Sequence, residues 1–308
     1  MYRIGVDLGG TNIAVGLVND DYVITARISV PTNALQAAEG VVAGIGDAIE
    51  RVLEKSGLTG PDCAGIGVGA PGTCDTERGI VFRSYSLSWN NVPLAAMLEE
   101  RFHLPVRINN DANCAALAEV KAGAAKGCKN VVLVTLGTGI GSGIVINGTI
   151  YSGYLGSGTE MGHMLLDYNG EQCSCGRKGC WDAYASSTAL VVQAKRAAFS
   201  RPESRLNSLP QITGQSVFEA AEQGDVTAIA IINKYCEYLA LGISNIINVL
   251  APEMILIGGG VSSQGERILE PVRKYARENC FDKREEAMPI IKIASMGNEA
   301  GIIGAAVL

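Results

Sequence analysis

The sequence predicts an α/β fold of two similar lobes, and three observations carry that expectation. First, a β-branched run from residue 2 to 6 leads through the turn Asp7-Leu8-Gly9-Gly10-Thr11-Asn12 into a second strand. The run 131–134 leads in the same way through Leu136-Gly137-Thr138-Gly139-Ile140-Gly141 into another. Second, each of these antiparallel openings is followed by strand and helix patterns that alternate, so one order of elements occurs twice. Third, 308 residues with 47% hydrophobic and 18% charged side chains suit two ordinary domains with a substantial core, and not a disordered chain.

Taken in order, apolar runs of strand length are expected to form strands at 2–8, 13–19 and 22–30, before a long helix at 34–56. A strand at 64–69, a helix at 93–101, a strand at 105–109 and a helix at 112–122 complete the first half. The second half restarts with strands at 130–136 and 142–147, then a loop-rich insertion at 151–181. Helices at 182–198, 215–223 and 226–250, a strand at 254–258, a helix at 265–279, a strand at 290–294 and a short helix at 300–307 follow. The expected lobes are 1–122 with 295–308, and 123–294, with a cleft between them and hinges at 121–129 and 295–298.

Charge and composition narrow the partners. The net charge is −6 and the Lys and Arg residues are scattered, so no basic footprint for nucleic acid or an anionic membrane is present. The apolar runs, such as 254–257, are short of a bilayer span, and the chain enters its first strand with no signal-peptide pattern. Small molecules and a cytoplasmic setting are expected. Of nine cysteines, Cys63, Cys74, Cys114, Cys128, Cys236 and Cys280 lack motif spacing and are expected to be reduced packing residues.

Both glycine turns return to a strand instead of opening a helix, which fits neither the Rossmann nor the Walker pattern. Glycine lets backbone N–H groups approach phosphate oxygens, and Thr11 and Thr138 add hydroxyl donors. Two ordinary tight turns would look alike singly; their repetition after buried strands points to a kinase or ATPase. Cys173, Cys175 and Cys180, with His163 upstream, supply three thiolates and an imidazole, a complete tetrahedral zinc shell with no open position. A disulfide or redox pair is the alternative, against which stands the lack of a C-x-x-C spacing. Asn110 and Asp111 stand where a strand runs into a helix: either of them caps that helix, or Asp111 is a general base.

Six motifs occur in one order: Asp7-Leu-Gly-Gly-Thr11, Gly69-Ala-Pro-Gly72, Asn110-Asp111-Ala-Asn113, Leu136-Gly-Thr-Gly-Ile-Gly141, Glu160-Met-Gly-His163 and Cys173-Ser-Cys175-Gly-Arg-Lys-Gly-Cys180. In this order, and over nearly the whole chain, the sequence resembles the ROK family of bacterial sugar kinases and repressors. The resemblance implies an actin-like ATPase fold, a duplicated RNase H-like architecture. It also implies phosphorylation of a hexose by ATP, first of all glucose to glucose 6-phosphate, or else of N-acetylmannosamine, mannose, fructose or N-acetylglucosamine, with polyphosphate as another possible donor.

By the same resemblance Asp111 is the base, and Asp7 holds Mg²⁺, through water because that ion keeps its hydration shell. Gly9, Gly10, Thr11 and Asn12 with Gly137, Thr138 and Gly139 would bind the phosphates, and Gly258, Gly259 and Gly260 the adenosine side. The sugar would meet Gly69, Gly72, Asn110, Asp111, Glu160, His163 and Asp182, with structural Zn²⁺ stiffening the insertion. Two positions depart from the family pattern: Asp182 stands where Glu is usual, and Ser86 where glucose kinases commonly have Asn. A repressor of the family would carry a winged-helix segment before the hairpin, so Asp7 near the start favours the enzyme. A non-catalytic sugar-binding regulator would be expected to lack the base or a phosphate turn. Family members imply a homodimer or homotetramer.

Overall fold

The first strands follow from their burial. β1 (Tyr2–Leu8) and β2 (Asn12–Val18) are apolar and largely buried, whereas β3 (Ile24–Pro31) alternates between half-buried and exposed positions, as an edge strand does. These three pair antiparallel, and β4 (Cys63–Ala70) and β8 (Val106–Asn110) extend the sheet in parallel, giving the order β3-β2-β1-β4-β8. The computed structural model describes residues 1–308. They divide into one unit of Met1–Leu133, Gly143–Thr159 and Ser295–Leu308 and a second of Val134–Ser142 and Glu160–Ala294.

In the first unit α1 (Ala38–Ser56) packs on β2 and β3 through Val41, Ile45, Ile49 and Val52, and stops at Gly57, which caps it in the left-handed region at φ 65°. It begins later than expected, because residues 33–36 close a turn, with Gln36 N–H donating to Asn33 O. On the opposite side α3 (Asp111–Lys121) and α9 (Ala300–Ala306) pack together, α9 also covering β1 and β4. Between β4 and α2 (Leu94–Phe102) lies a small antiparallel sheet that the sequence reading missed: β5 (Thr73–Asp75), β6 (Ile80–Ser84) and β7 (Trp89–Val92). Strands of three to five residues are too short for their period to register.

β9 (Val131–Leu136), β10 (Ile140–Ile146) and β11 (Thr149–Ile150) join β12 (Met254–Gly258) and β13 (Ile290–Ile293) in the order β11-β10-β9-β12-β13. Hairpin strands first, parallel strands after: the second sheet repeats the order of the first. The helix expected at 182–198 is two, α4 (Asp182–Ala185) and α5 (Ser187–Ser200), because Ser186 turns extended and its hydroxyl caps α5 by accepting from Ala189 N–H. α6 (Gly214–Glu222), α7 (Val226–Leu250) and α8 (Glu266–Asn279) follow. By length and apolarity α7 could span a bilayer, which the short apolar runs had not suggested. Half of its most apolar window is buried, with Ile231, Tyr235, Leu239 and Ile243 turned inward as in a core helix packed on α5, α6 and α8.

Candidate active site

In the first unit the candidate residues gather at the carboxyl ends of adjacent strands. Asp7, near the end of β1, pairs with Gly69 on β4, and Ala70 with Asn110 on β8. The first hairpin is fixed by Gly9 N–H donating to Asn12 O at 2.9 Å. Thr32, just past the end of β3, fixes it as well, donating its N–H to Thr11 O at 2.9 Å and its hydroxyl to Gly9 O at 2.7 Å. Thr11 and Asn12 are exposed, and a Cβ on Gly10 would lie 3.2 Å from the Ser86 Cβ, so Ser86 stands beside this hairpin. Ser84 Oγ lies 3.3 Å from Ser86 Oγ. Burial raises the Asp7 carboxyl above the ordinary aspartate range, and Gly301 of α9 abuts it so closely that a side chain there would collide.

Asn110 performs the helix capping. Its Oδ1 accepts from Ala112 N–H at 2.9 Å and Asn113 N–H at 3.2 Å, while its Nδ2 donates to Gly72 O at 3.2 Å. Gly72 turns there at φ 101°, against the Arg83 carbonyl, a conformation open to glycine. Asp111 begins α3, and its Oδ1 accepts from Ala112 N–H at 2.8 Å. Beneath it the buried Asn113 donates to Asn109 Oδ1 at 3.1 Å and Ser152 Oγ at 3.2 Å. Thr32, Asn109 and Ser152 escaped the sequence reading, since nothing local marks a polar residue whose partner is remote in sequence.

In the second unit Gly137 N–H donates to Gly139 O at 3.0 Å, closing the second turn, with Thr138 exposed at its tip. Gly259, at φ 82°, backs onto Leu136, where a Cβ would meet the carbonyl oxygen at 2.5 Å; Gly258 and Gly260 flank it, so the two glycine turns of this unit touch. Asp182 Oδ1 accepts from Ile140 N–H at 2.5 Å. Glu160 is exposed, and its carbonyl accepts from His163 N–H at 3.0 Å across a single helical turn.

His163, Cys173, Cys175 and Cys180 each offer one ligand atom, and all four atoms lie within 4.8 Å of one another. Cys175 Sγ is 3.7 Å from Cys180 Sγ, and Cys173 Sγ is 3.7 Å from His163 Nδ1. Ligands about 2.3 Å from a central zinc stand about 3.8 Å apart at the corners of a tetrahedron, so the donor set fits that ion. Burial and the adjoining thiols push Cys180 up to about 12. A cation is what allows such a group of thiols to ionise together. Cys173 N–H donates to Arg177 O at 2.8 Å and Trp181 N–H to Met164 O at 2.8 Å, holding the ligand-bearing arms side by side.

A five-stranded sheet of one order made twice, with a glycine turn closing the first hairpin of each copy, defines an actin-like ATPase fold. The ROK family pattern matches residues 3–308, and the chain belongs to the ROK family. It is 36% identical over 308 residues to a glucokinase of Halalkalibacterium halodurans, covering 98% of this chain and 93% of that protein. The crystal structure of a ROK family glucokinase from Streptomyces griseus in complex with glucose and AMPPNP superposes with a TM-score of 0.83 at 35% identity, covering 100% of this chain and 98% of that one. A xylose repressor of Caldicellulosiruptor bescii is 30% identical over 304 residues, 98% of this chain and 76% of the repressor. The family and fold expected from the motifs are thereby borne out.

Proposed function

We propose that the protein transfers the terminal phosphoryl group of ATP to a hexose hydroxyl, glucose being the first acceptor and glucose 6-phosphate the product. The observation that carries this reading is Asp111 at the start of α3 with the capping role taken by Asn110, in a chain similar throughout to a glucokinase crystallised with glucose and AMPPNP. Asp111 accepts the hydroxyl proton as the oxygen attacks in line. Turns 9–12 and 137–139 cradle the phosphates with backbone N–H groups, and the turn 258–260 takes the adenosine side. Asp7 would hold Mg²⁺, which would supply positive charge beside the phosphates.

Gly69, Gly72, Asn110, Glu160 and His163 orient the sugar. His163, Cys173, Cys175 and Cys180 hold a structural Zn²⁺ with no position left for substrate. Three reduced thiols accord with a cytoplasmic setting. A homodimer or homotetramer is the assembly that the family resemblance implies, and light scattering reads it directly.

Purified protein assayed with Mg-ATP against glucose, mannose, fructose, N-acetylmannosamine and N-acetylglucosamine is the test, with polyphosphate in a parallel arm. Turnover of glucose supports the reading, and turnover of another sugar moves the acceptor. The similarity to a xylose repressor favours a second reading, a sugar-responsive regulator, which would bind sugar and turn over none of the panel.

A further inference from the structure

Asp182 faces the second glycine turn. Its Oδ1 receives the Ile140 N–H at 2.5 Å, and a Cβ on Gly139 would come within 2.8 Å of the same oxygen. Neighbouring parts of the insertion and of α5 grip the turn elsewhere. Ser187 N–H donates to Gly137 O at 2.9 Å, Met161 N–H donates to Ser142 Oγ at 3.1 Å, and a Cβ on Gly162 would meet Ile140 O at 2.5 Å. Asp182 follows the candidate metal ligand Cys180 by two residues. The intervening Trp181 is fully buried, with its backbone N–H on Met164 O and its indole N–H on Tyr238 O at 2.9 Å. The metal cluster and the glycine turn are therefore joined by a short link with little freedom.

We propose that Asp182 is a positioning residue for the nucleotide: it holds turn 137–139 in the shape that receives phosphate, so that the Cys/His cluster governs ATP affinity as well as the sugar arms. This rests on the kinase reading. A glycine turn that must be ordered when phosphate arrives loses affinity to that ordering, whereas one already fixed by a charge-assisted hydrogen bond does not. The Ile140 N–H dipole at Oδ1 offsets part of the carboxylate's field at the turn, while the net charge stays on Asp182. The departure from Glu acquires a reason here. One methylene more would carry the carboxylate about 1.5 Å further, beyond the useful range of that bond.

Calorimetry with Mg-AMPPNP and, separately, with glucose on zinc-replete wild type, Asp182→Ala and Asp182→Asn tests the proposal, with metal content measured alongside. The alanine variant should bind nucleotide about tenfold more weakly or worse, with glucose affinity changed less than about threefold. The asparagine variant keeps an amide oxygen for the Ile140 N–H and should recover most of the nucleotide affinity. Nucleotide binding unchanged in Asp182→Ala, or glucose affinity falling more than nucleotide affinity, overturns the proposal. Should Asp182→Ala lose its metal, its nucleotide affinity is compared with that of chelator-treated wild type: weaker binding than this reference upholds the clamp, and equal or tighter binding removes it. A wild type that binds no nucleotide would instead defeat the kinase reading itself.

Discussion

Asn110 and Asp111 are neighbours with different tasks, and the division makes each testable. Because Asn110 caps α3 with its own Oδ1, replacing Asp111 leaves the cap in place. Asp111→Asn is expected to lower kcat by about 10²–10⁴-fold or more with the fold intact, since the amide keeps the shape but accepts no proton. Retention of more than about a tenth of wild-type kcat would remove Asp111 from the role of base. Asp7 carries a different signature. Its carboxyl is raised by burial, so folding favours the protonated form; that contribution is fully present below the unfolded value near about 3.9 and is lost as pH rises through the folded one. Without ligands Asp7→Asn should therefore melt higher than wild type at pH 7, the gap closing as pH falls toward about 4, while Mg-ATP turnover collapses. Equal melting temperatures across that range would show that the Asp7 charge is already compensated.

At the scale of the element, α3 depends on a residue that its sequence disguises. Glu119 is fully buried; its Oε2 accepts from Ala124 N–H at 2.7 Å and Ser295 hydroxyl at 3.0 Å, and its Oε1 from Met296 N–H at 2.8 Å. One carboxylate thus ties the helix bearing Asp111 to the chain that follows it and to the segment entering α9. Glu119→Ala strands three donors, at about 1–3 kcal/mol for each left unsatisfied, and is expected to cost about 3 kcal/mol or more in urea unfolding. A loss below about 1 kcal/mol would mean that water takes over those donors. A glutamate inside a helix looks like a surface residue, and two of its three partners here stand 176 and 177 positions away, so no local pattern could reveal it. β1, β2, α1 and α7 were legible because long apolar runs impose their own period. β5, β6 and β7 were not, and neither was the break at Ser186, where a hydroxyl competes with the helix by capping its successor.

Across the whole molecule the repetition was the most legible feature, because the same hairpin and the same turn chemistry recur in the chain and both sheets then take the same strand order. The metal cluster was legible for a related reason: thiol and imidazole ligands close in sequence need little tertiary structure to converge. What sequence could not tell was the direction of Asp182, which depends on how the insertion folds back upon 137–142. These features meet in a final expectation about zinc. The buried strands β9 and β12 and the helices α5 to α8 supply the apolar packing of the second unit, whereas 160–181 has one short helical turn, at 161–163, and isolated bridges to hold it. Cys175 is exposed while Cys173 and Cys180 are buried, so a chelator meets the cluster through Cys175. Cys175→Ser is therefore expected to lose the metal and most activity, and to expose 160–181 to limited proteolysis, while far-UV circular dichroism stays close to wild type. If the cluster also steadies turn 137–139, nucleotide affinity falls with the metal and returns on adding zinc back to chelator-treated wild type. A metal-free wild type with full activity would show that the four ligands hold the insertion without an ion.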